Sequence, residues 1–179
     1  LQALASGSDG LNDIRAIGEL CKSRDIIFHT DATQWFGKMP IDAYADNVDL
    51  MSFSGHKIYG PKGVGGLFVR RKRPRVRLTP LVDGGGQERG FRSGTLNVSG
   101  IVGLGKAAEL AGREMSADAI RLGKLRKKLE DSITSRLDTC AINGNRDKRL
   151  PHITNISFGF VEGESLMMAV KEIACSSGS

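Results

Sequence analysis

Two apolar runs of the chain are joined by Ser52-Phe53-Ser54-Gly55-His56-Lys57-Ile58-Tyr59-Gly60-Pro61-Lys62-Gly63-Val64-Gly65-Gly66. The first run, Val48 to Phe53, stops at a small polar residue, and the second run is Leu67-Phe68-Val69. Glycine and proline between two apolar runs indicate a turn-rich loop, so the pattern predicts a strand, a loop and a second strand. Lys57 therefore lies where a buried sheet meets a flexible loop, a common position for reactive groups.

Lys57 is a candidate for covalent chemistry. A partly desolvated amine loses proton affinity and can form a Schiff base with an aldehyde. Ser54 and His56 flank it with hydrogen-bond donors suited to an anion, and the glycines let backbone N–H groups approach closely. These features suit an aldehyde cofactor that carries a phosphate, namely pyridoxal 5'-phosphate. Taken alone, the stretch is explained equally well by a glycine-rich surface hairpin with one solvated lysine.

A second polar group, Asp31, follows the short apolar run Ile26-Ile27-Phe28, which we expect to form a strand. An aspartate just past a buried strand costs free energy unless it is paired. A pyridinium nitrogen is a suitable partner because the ion pair keeps the ring a strong electron sink. Gln34, three residues further on, is placed to donate to the phenolate oxygen of such a ring. Asp31 alone also fits a helix cap or a turn, and the downstream Lys57 favours the cofactor.

An amphipathic helix is predicted before that strand, with Asn12 or Asp13 as its cap. Its apolar positions, which include Cys21 as a core-packing residue, are Leu11, Ile14, Ile17, Leu20 and Cys21. A helix followed by a strand without a hairpin turn indicates a parallel α/β sheet, in which ligands lie at the carboxyl ends of strands. Asp31 and Lys57 both follow such ends.

The second half of the chain has a loop and further periodic segments. The glycine-rich segment 84–90 is incompatible with regular structure, and it precedes a helix predicted from about Val98 to Glu114. Helical periodicity restarts after Met115-Ser116 and continues to Leu137. A half-buried strand is predicted from Ile156, and a short helix is predicted from Glu164 to Ile173.

Three longer motifs resemble the cysteine desulfurases, in particular the branch that supplies sulfur for iron–sulfur clusters. They are His29-Thr30-Asp31-Ala32-Thr33-Gln34, the stretch from Ser52 to Gly63, and the stretch from Gly84 to Thr95. Val161 to Leu166 and Cys175 to Ser179 extend the match, which runs from about Asp13 to the last residue. Several long motifs in one order are a more specific signal than a lone glycine-rich loop.

The resemblance implies fold type I of the pyridoxal-phosphate enzymes, as in the class-V aminotransferases. Residues 1–97 would form part of the large α/β domain, 98–115 a linking helix, and 116–179 part of a small α+β domain. It implies conversion of L-cysteine to L-alanine by a homodimer. The sulfur would pass through an enzyme persulfide to an iron–sulfur scaffold or another acceptor protein, or towards tRNA thiolation.

The resemblance also assigns roles to individual residues. Lys57 would hold the cofactor and move the proton at the substrate's alpha carbon, while Thr95 would reach the phosphate of the partner subunit. The family's persulfide cysteine follows a Ser-Ser-Gly-Ser sequence, so we expect it two residues after Ser179, in a longer enzyme. Cys175 matches a structural position, and Leu4 to Gly10 departs from the family pattern. The matching cofactor positions are Asp31, Gln34, Ser54, His56, Lys57 and Thr95.

Composition limits the class of protein. The chain has 179 residues, of which 40% are hydrophobic, enough for one ordinary core. No apolar run is long enough to cross a membrane, and no signal-peptide pattern is present. The three cysteines have no metal-ligand spacing, so no metal site is predicted. A sparse, odd cysteine count suits a reducing compartment, which predicts a cytoplasmic protein, or one of the mitochondrial matrix if eukaryotic.

The net charge is +6 at pH 7, and much of the excess lies in Arg70-Arg71-Lys72-Arg73-Pro74-Arg75-Val76-Arg77. Such a run can face nucleic acid or an acidic protein. It holds no aromatic residue on which a base could stack, which argues against nucleic acid. A solvated face is the default interpretation.

Two alternatives to a desulfurase remain open. A selenocysteine lyase or an aminotransferase of the same fold would share Asp31 and Lys57, and the 84–90 loop and the Ser176–Ser179 segment favour the desulfurase over it. A non-catalytic binding module acting through residues 70–77 would bind nucleic acid with a steep salt dependence and without a cofactor.

Overall fold

The computed structural model describes residues 11–72 and 74–175. The expectations for Leu4 to Gly10, Arg73 and Ser176 to Ser179 lie outside these residues. The described chain has a three-stranded and a two-stranded sheet, separated in sequence by one long helix. Its helices and strands are α1 (Ile14–Ser23), β1 (His29–Asp31), β2 (Leu50–Ser54), β3 (Gly65–Val69), α2 (Val98–Thr134), β4 (Cys140–Ile142), β5 (Ile156–Phe158) and α3 (Gly163–Ala169). Short 3-10 turns cover Gly55–Ile58 and Glu88–Gly90.

Helix α1 forms where it was predicted. Asp13 caps it, since its Oδ1 accepts a hydrogen bond from the Ala16 backbone N–H at 3.0 Å. Ile14 is buried, and Cys21 packs at the edge of the core that α1 covers, which confirms the prediction for Cys21. The other buried members of that core are Phe28, Ala32, Val48 and Met51.

The first strand does not lie where the sequence predicted it. It covers His29–Asp31 rather than Ile26 to Phe28, and Ile26 and Ile27 are 52% and 55% exposed. The reason is that the Ile26 N–H bonds the Cys21 carbonyl at 2.9 Å, which keeps this residue in the turn that closes α1. Pairing with β2 begins only at His29, opposite Leu50.

The larger sheet has the order β1-β2-β3 and is mixed. β1 and β2 are parallel, as predicted, with Asp31 opposite Ser52. β2 and β3 are antiparallel, with Ser54 opposite Gly65. Only residues 55–64 connect them, and that segment is too short for the crossover that a parallel pair needs.

Helix α2 is continuous over 37 residues, so the predicted helix end at Glu114 is wrong. Asn97 caps its start by accepting from the Gly100 N–H at 3.0 Å. Met115-Ser116 offers no glycine or proline to stop the helix, and ion pairs such as Asp118–Arg121 support the following turns. The predicted domain boundaries at 97 and 115 remain predictions. Within the described residues, no helix is long and apolar enough to span a membrane.

The second sheet is the antiparallel pair β4 and β5. The predicted alternation from Ile156 corresponds to β5, and the predicted last helix is α3, which ends at Ala169 rather than Ile173. The 149–155 segment is held on α2 by Arg149, whose Nη2 donates to Glu130 Oε2 at 2.9 Å. Both side chains are buried, so this pair ties the second sheet to the C-terminal half of α2.

The basic run is not solvated throughout, contrary to the default interpretation. Arg70 is only 7% exposed, and its Nε lies 3.0 Å from Asp49 Oδ1. Its Nη2 donates to the carbonyls of Ala43 and Val48 at 2.8 and 3.0 Å, and its guanidinium lies over the Tyr44 ring. The neighbouring Arg71 and Lys72 are exposed.

Candidate active site

The candidate site lies at the carboxyl ends of β1 and β2. Because the two strands are parallel, their ends meet at one edge of the sheet. Asp31 is the last residue of β1 and pairs with Ser52, so Ser54 lies two residues, or about 7 Å, further along the same direction. The 3-10 turn that holds Lys57 follows directly. The structure therefore brings the predicted aspartate and lysine segments to one edge.

Asp31 presents one carboxylate oxygen to the protein and leaves the other without a protein partner. Oδ1 accepts a hydrogen bond from the Thr33 N–H at 2.8 Å, which fixes the carboxylate orientation. Across residues 11–72 and 74–175, Oδ2 has no hydrogen bond or ion pair. A half-buried carboxylate in this state is suited to a cationic or N–H partner supplied by a ligand.

Lys57 lies in a tightly closed turn. The Gly55 N–H bonds the Val64 carbonyl and the Gly60 N–H bonds the Gly55 carbonyl, both at 2.9 Å. Tyr59 ends the 3-10 helix in a left-handed conformation, with φ of 64°. Lys57 is half-buried, and its ammonium makes no hydrogen bond or ion pair with the part of the chain that the structure describes. The two hydrogen bonds therefore fix the backbone of the turn, and the Lys57 amine that it carries has no partner within the described residues.

Ser54 and His56 form a polar pair beside Lys57. Ser54 Oγ lies 2.8 Å from His56 Nδ1, and the tautomer of the ring decides which atom donates. His56 is exposed and Ser54 is half-buried. With Nδ1 held by Ser54, the ring's other nitrogen remains to contact an anion.

The other two predicted site residues, Gln34 and Thr95, make no hydrogen bond with this pair within the described residues. Gln34 is exposed in the turn that follows β1. Thr95 is exposed and lines a groove of about 600 Å³ together with Gly63 to Gly66 and Phe91. Gln87 supports this region by accepting from the Gly94 N–H at 2.9 Å. The 84–90 loop was predicted to lack regular structure, yet its end forms the 3-10 turn Glu88–Gly90.

An aromatic stack joins the segment after β1 to β2. The rings of Phe36 and Phe53 stack with centroids 4.1 Å apart and planes inclined by 16°. The Phe53 ring lies directly over Gly66 on β3, where an added Cβ would overlap it. The glycine at position 66 is the sequence signal for this close approach.

The residues present fit pyridoxal phosphate. The group needs an amine for its aldehyde, a carboxylate for its ring nitrogen and donors for its phosphate. Lys57 and Asp31 each offer an atom without a protein partner, and Ser54 with His56 supplies polar side chains at the same edge. A Cβ at Gly55 would lie 3.1 Å from the Val64 carbonyl oxygen, so glycine is suited to this close turn.

Comparison with known proteins gives the family. Residues 5–179 match the family model described as Aminotransferase class-V. A curated relative, Cysteine desulfurase IscS of Anaeromyxobacter dehalogenans, is 56% identical over 169 residues, which cover 94% of this chain and 42% of that protein. The chain thus spans about two fifths of the length of the curated relatives that it matches.

Solved structures agree with this match. A NifS-like protein from Rickettsia africae superposes with a TM-score of 0.90 and 34% identity, over 99% of this chain and 49% of that one. A structure described as SspA in complex with cysteine superposes with a TM-score of 0.76 and 34% identity, over 99% of this chain and 48% of that one. Together with the lysine and aspartate at one sheet edge, these matches establish that the chain belongs to the class-V aminotransferases, a family of pyridoxal-phosphate-dependent enzymes.

Proposed function

We propose that this chain forms the cofactor-binding centre of a pyridoxal-phosphate-dependent cysteine desulfurase. The observation that carries the proposal is the meeting of Asp31 and the Lys57 turn at the carboxyl edge of β1 and β2. The 56% identity to a protein named cysteine desulfurase supports the choice of reaction. The similar structure that contains cysteine supports the choice of substrate.

The proposed reaction converts L-cysteine and an enzyme thiol into L-alanine and an enzyme persulfide. The carbon–sulfur bond of the substrate breaks, a sulfur–sulfur bond forms on the enzyme, and the substrate's beta carbon gains a proton. When bound, pyridoxal phosphate supplies the electron sink that labilises bonds at the alpha carbon. We assign the thiol to none of Cys21, Cys140 or Cys175, of which only Cys175 is exposed.

The residues of the chain have separate tasks in this proposal. Lys57 binds the cofactor aldehyde and moves the proton at the alpha carbon of the substrate. Asp31 keeps the ring nitrogen protonated through Oδ2, while Thr33 holds Oδ1. Gln34 donates to the phenolate oxygen of the ring. The phosphate is bound by Ser54 and His56, and by Thr95 of a second copy across a homodimer.

The sulfur then passes to an acceptor protein, such as an iron–sulfur scaffold or a protein of tRNA thiolation. Thr95 is exposed and lines a groove that does not include Lys57, which supports a dimer in which Thr95 serves the partner's site. We propose a cytoplasmic location, or the mitochondrial matrix if the source is eukaryotic.

The test is reductive trapping. The protein used contains this chain and has the full length of its relatives. It is incubated with pyridoxal phosphate, reduced with borohydride and digested for mass spectrometry. Modification of Lys57 that is lost in Lys57→Ala and retained in Lys62→Ala supports the site. Equal trapping of Lys57 and Lys62 in the wild-type protein would contradict it.

Substrate specificity separates the second candidate, a selenocysteine lyase or an aminotransferase of the same fold. Formation of alanine from L-cysteine, with sulfide released when dithiothreitol reduces the enzyme persulfide, supports the desulfurase, whereas activity on L-selenocysteine alone would favour the lyase. Amino-group transfer to an oxo acid without sulfide release would favour an aminotransferase. Salt-sensitive nucleic-acid binding through the exposed arginines, with no trapping at Lys57, would favour a basic binding module.

A further inference from the structure

Helix α2 packs directly against the loop that carries Lys57. We call residues 55–61 the lysine turn. A Cβ added at Gly103 of α2 would lie 2.6 Å from Pro61 Cγ and 3.0 Å from Pro61 Cδ, closer than real carbon contacts. A Cβ added at Gly60 would lie 3.2 Å from the Ala107 Cβ. The helix and the turn therefore approach so closely that Gly103 has no room for a methyl group and Gly60 could take one only if Ala107 moved.

A third contact point holds the same turn from another side. Ile58, the residue after Lys57, is only 3% exposed. A Cβ added at Gly37, which has a φ of +72°, would lie 2.7 Å from Ile58 Cγ2 and 3.1 Å from the Ala111 Cβ. Ile58 is thus enclosed by the segment that follows β1 and by α2. Because Gly103, Ala107 and Ala111 are spaced by four residues, they lie on one face of the helix.

These contacts are made by Ile58, Gly60 and Pro61, which follow Lys57 in sequence, and none of them pairs with its amine. The lysine side chain has no hydrogen bond to hold it within the described residues, so its position depends on the backbone of the turn. That backbone is fixed internally by the Gly60-to-Gly55 hydrogen bond and externally by α2. A small displacement of Pro61 from α2 would move the turn as a unit and alter the burial of the lysine.

We propose that Gly103 is a positioning residue for Lys57, because its lack of a side chain lets Pro61 seat the lysine turn against α2. The effect of Gly103 on function rests on the proposed role of Lys57 in binding pyridoxal phosphate. The effect of Gly103 on the position of Lys57 does not need the cofactor, and it is tested on the free amine.

The chain provides a matched pair of variants. Gly103→Ala and Gly105→Ala make the same chemical change two residues apart in α2 and gain the same helix propensity. A Cβ at Gly105 meets nothing within 4 Å, whereas a Cβ at Gly103 meets Pro61. Any difference between the variants in the behaviour of Lys57 therefore arises from the contact and not from the helix.

The readout is competitive labelling of lysine amines with acetic anhydride over a range of pH, measured by peptide mass spectrometry. Lys62, which is exposed, serves as the reference in the same digests. We expect Lys57 to be labelled faster, relative to Lys62, in Gly103→Ala than in wild type, because displacement of the turn from α2 exposes the half-buried amine. We expect Gly105→Ala to match the wild type. Urea unfolding of both variants checks that each is folded.

A rescue variant completes the design. Pro61→Ala removes the ring atoms that the new methyl group would meet, so Gly103→Ala with Pro61→Ala should return Lys57 to the labelling rate of Pro61→Ala alone. Equal Lys57 labelling in wild type and Gly103→Ala would overturn the inference. If Lys57 responds as expected but pyridoxal phosphate is never trapped there, the inference stands and the proposed function fails.

Discussion

The guanidinium of Arg70 and the carboxylate of Asp49 form a buried ion pair, with Nε 3.0 Å from Oδ1. The pair lies where β3 ends and β2 begins, at the sheet edge opposite the candidate site. Asp49 also accepts the Phe28 N–H on Oδ2 at 3.0 Å. One charged pair therefore fastens the segment before β1, the start of β2 and the end of β3, and so fixes the strands that present Asp31 and Lys57.

Replacing Arg70 by Met should lower the free energy of unfolding by about 3–5 kcal/mol, because Asp49 would stay buried without its partner. Urea unfolding measures this loss. Arg71→Met, an exposed neighbour in the same run, should change stability by less than about 0.5 kcal/mol. Equal effects of the two variants would show that the buried pair contributes nothing specific.

Glu130 should make the protein sensitive to acid. Burial raises the pKa of its carboxyl, but the side chain of Thr154 and the charged Arg149 and Arg126 outweigh burial, so the pKa lies below its ordinary value of 4.5. A carboxyl with a lowered folded pKa stabilises the protein above its unfolded pKa, and this stabilisation is lost as pH falls through the folded pKa. We expect the free energy of unfolding to fall below about pH 4.5 through this group.

The check is urea unfolding of Glu130→Gln from neutral to acidic pH. The variant should be less stable than wild type at neutral pH, and the difference should shrink as the pH falls below 4.5. Glu109→Gln, which loses only an exposed pair with Lys106, is the control and should follow the wild type. A constant difference at every pH would refute the assignment.

His152 should titrate below the ordinary histidine range. His152 is exposed, yet partial desolvation by neighbouring residues lowers the pKa of its imidazole, and the charges of Lys38 and Arg126 lower it further, from an ordinary value of 6.5. The charged imidazole is therefore disfavoured in the folded state, and stability should decline as pH falls below about 6.5. Proton NMR titration of the ring measures the pKa directly.

A Lys38→Met variant should raise the pKa of His152 towards 6.5, since it removes one of the two positive charges that oppose protonation. Lys62→Met is the control. It removes an exposed charge from the segment between β2 and β3 and should leave the pKa of His152 unchanged. An unchanged pKa in Lys38→Met would mean that Lys38 contributes nothing and that desolvation and Arg126 lower the pKa.

Asp31→Asn should weaken the binding of pyridoxal phosphate by about 10- to 100-fold, because a hydrogen bond to a charged group contributes about 1.5–3 kcal/mol. Titration of protein fluorescence with the cofactor gives the dissociation constant. Asp25→Asn is the matched control, since Asp25 has a φ of 53°, a conformation that asparagine also adopts readily. Undiminished binding in Asp31→Asn would remove Asp31 from the site.

The local sequence determined the order of the elements around the site and the residue types that they carry. The cap of α1, the strand before Lys57 and the turn after it all follow from short-range patterns of polar, apolar and glycine residues. Local signals could not give the end of α2, since Met115-Ser116 weakens a periodic pattern without stopping a helix. They also placed β1 three residues early, because the turn closing α1 uses the N–H of Ile26.

Only the tertiary structure decided which residues meet. The burial of Arg70 with Asp49, the stack of Phe36 on Phe53 and the seating of Pro61 against Gly103 join residues distant in sequence. Short-range periodicity reports which face of an element is apolar, whereas partners are fixed by how strands pair and how closely a helix can approach a turn. That is why the sequence alone could propose Lys57 and Asp31 after the ends of parallel strands, while their register, with Asp31 opposite Ser52, comes only from the pairing of β1 with β2.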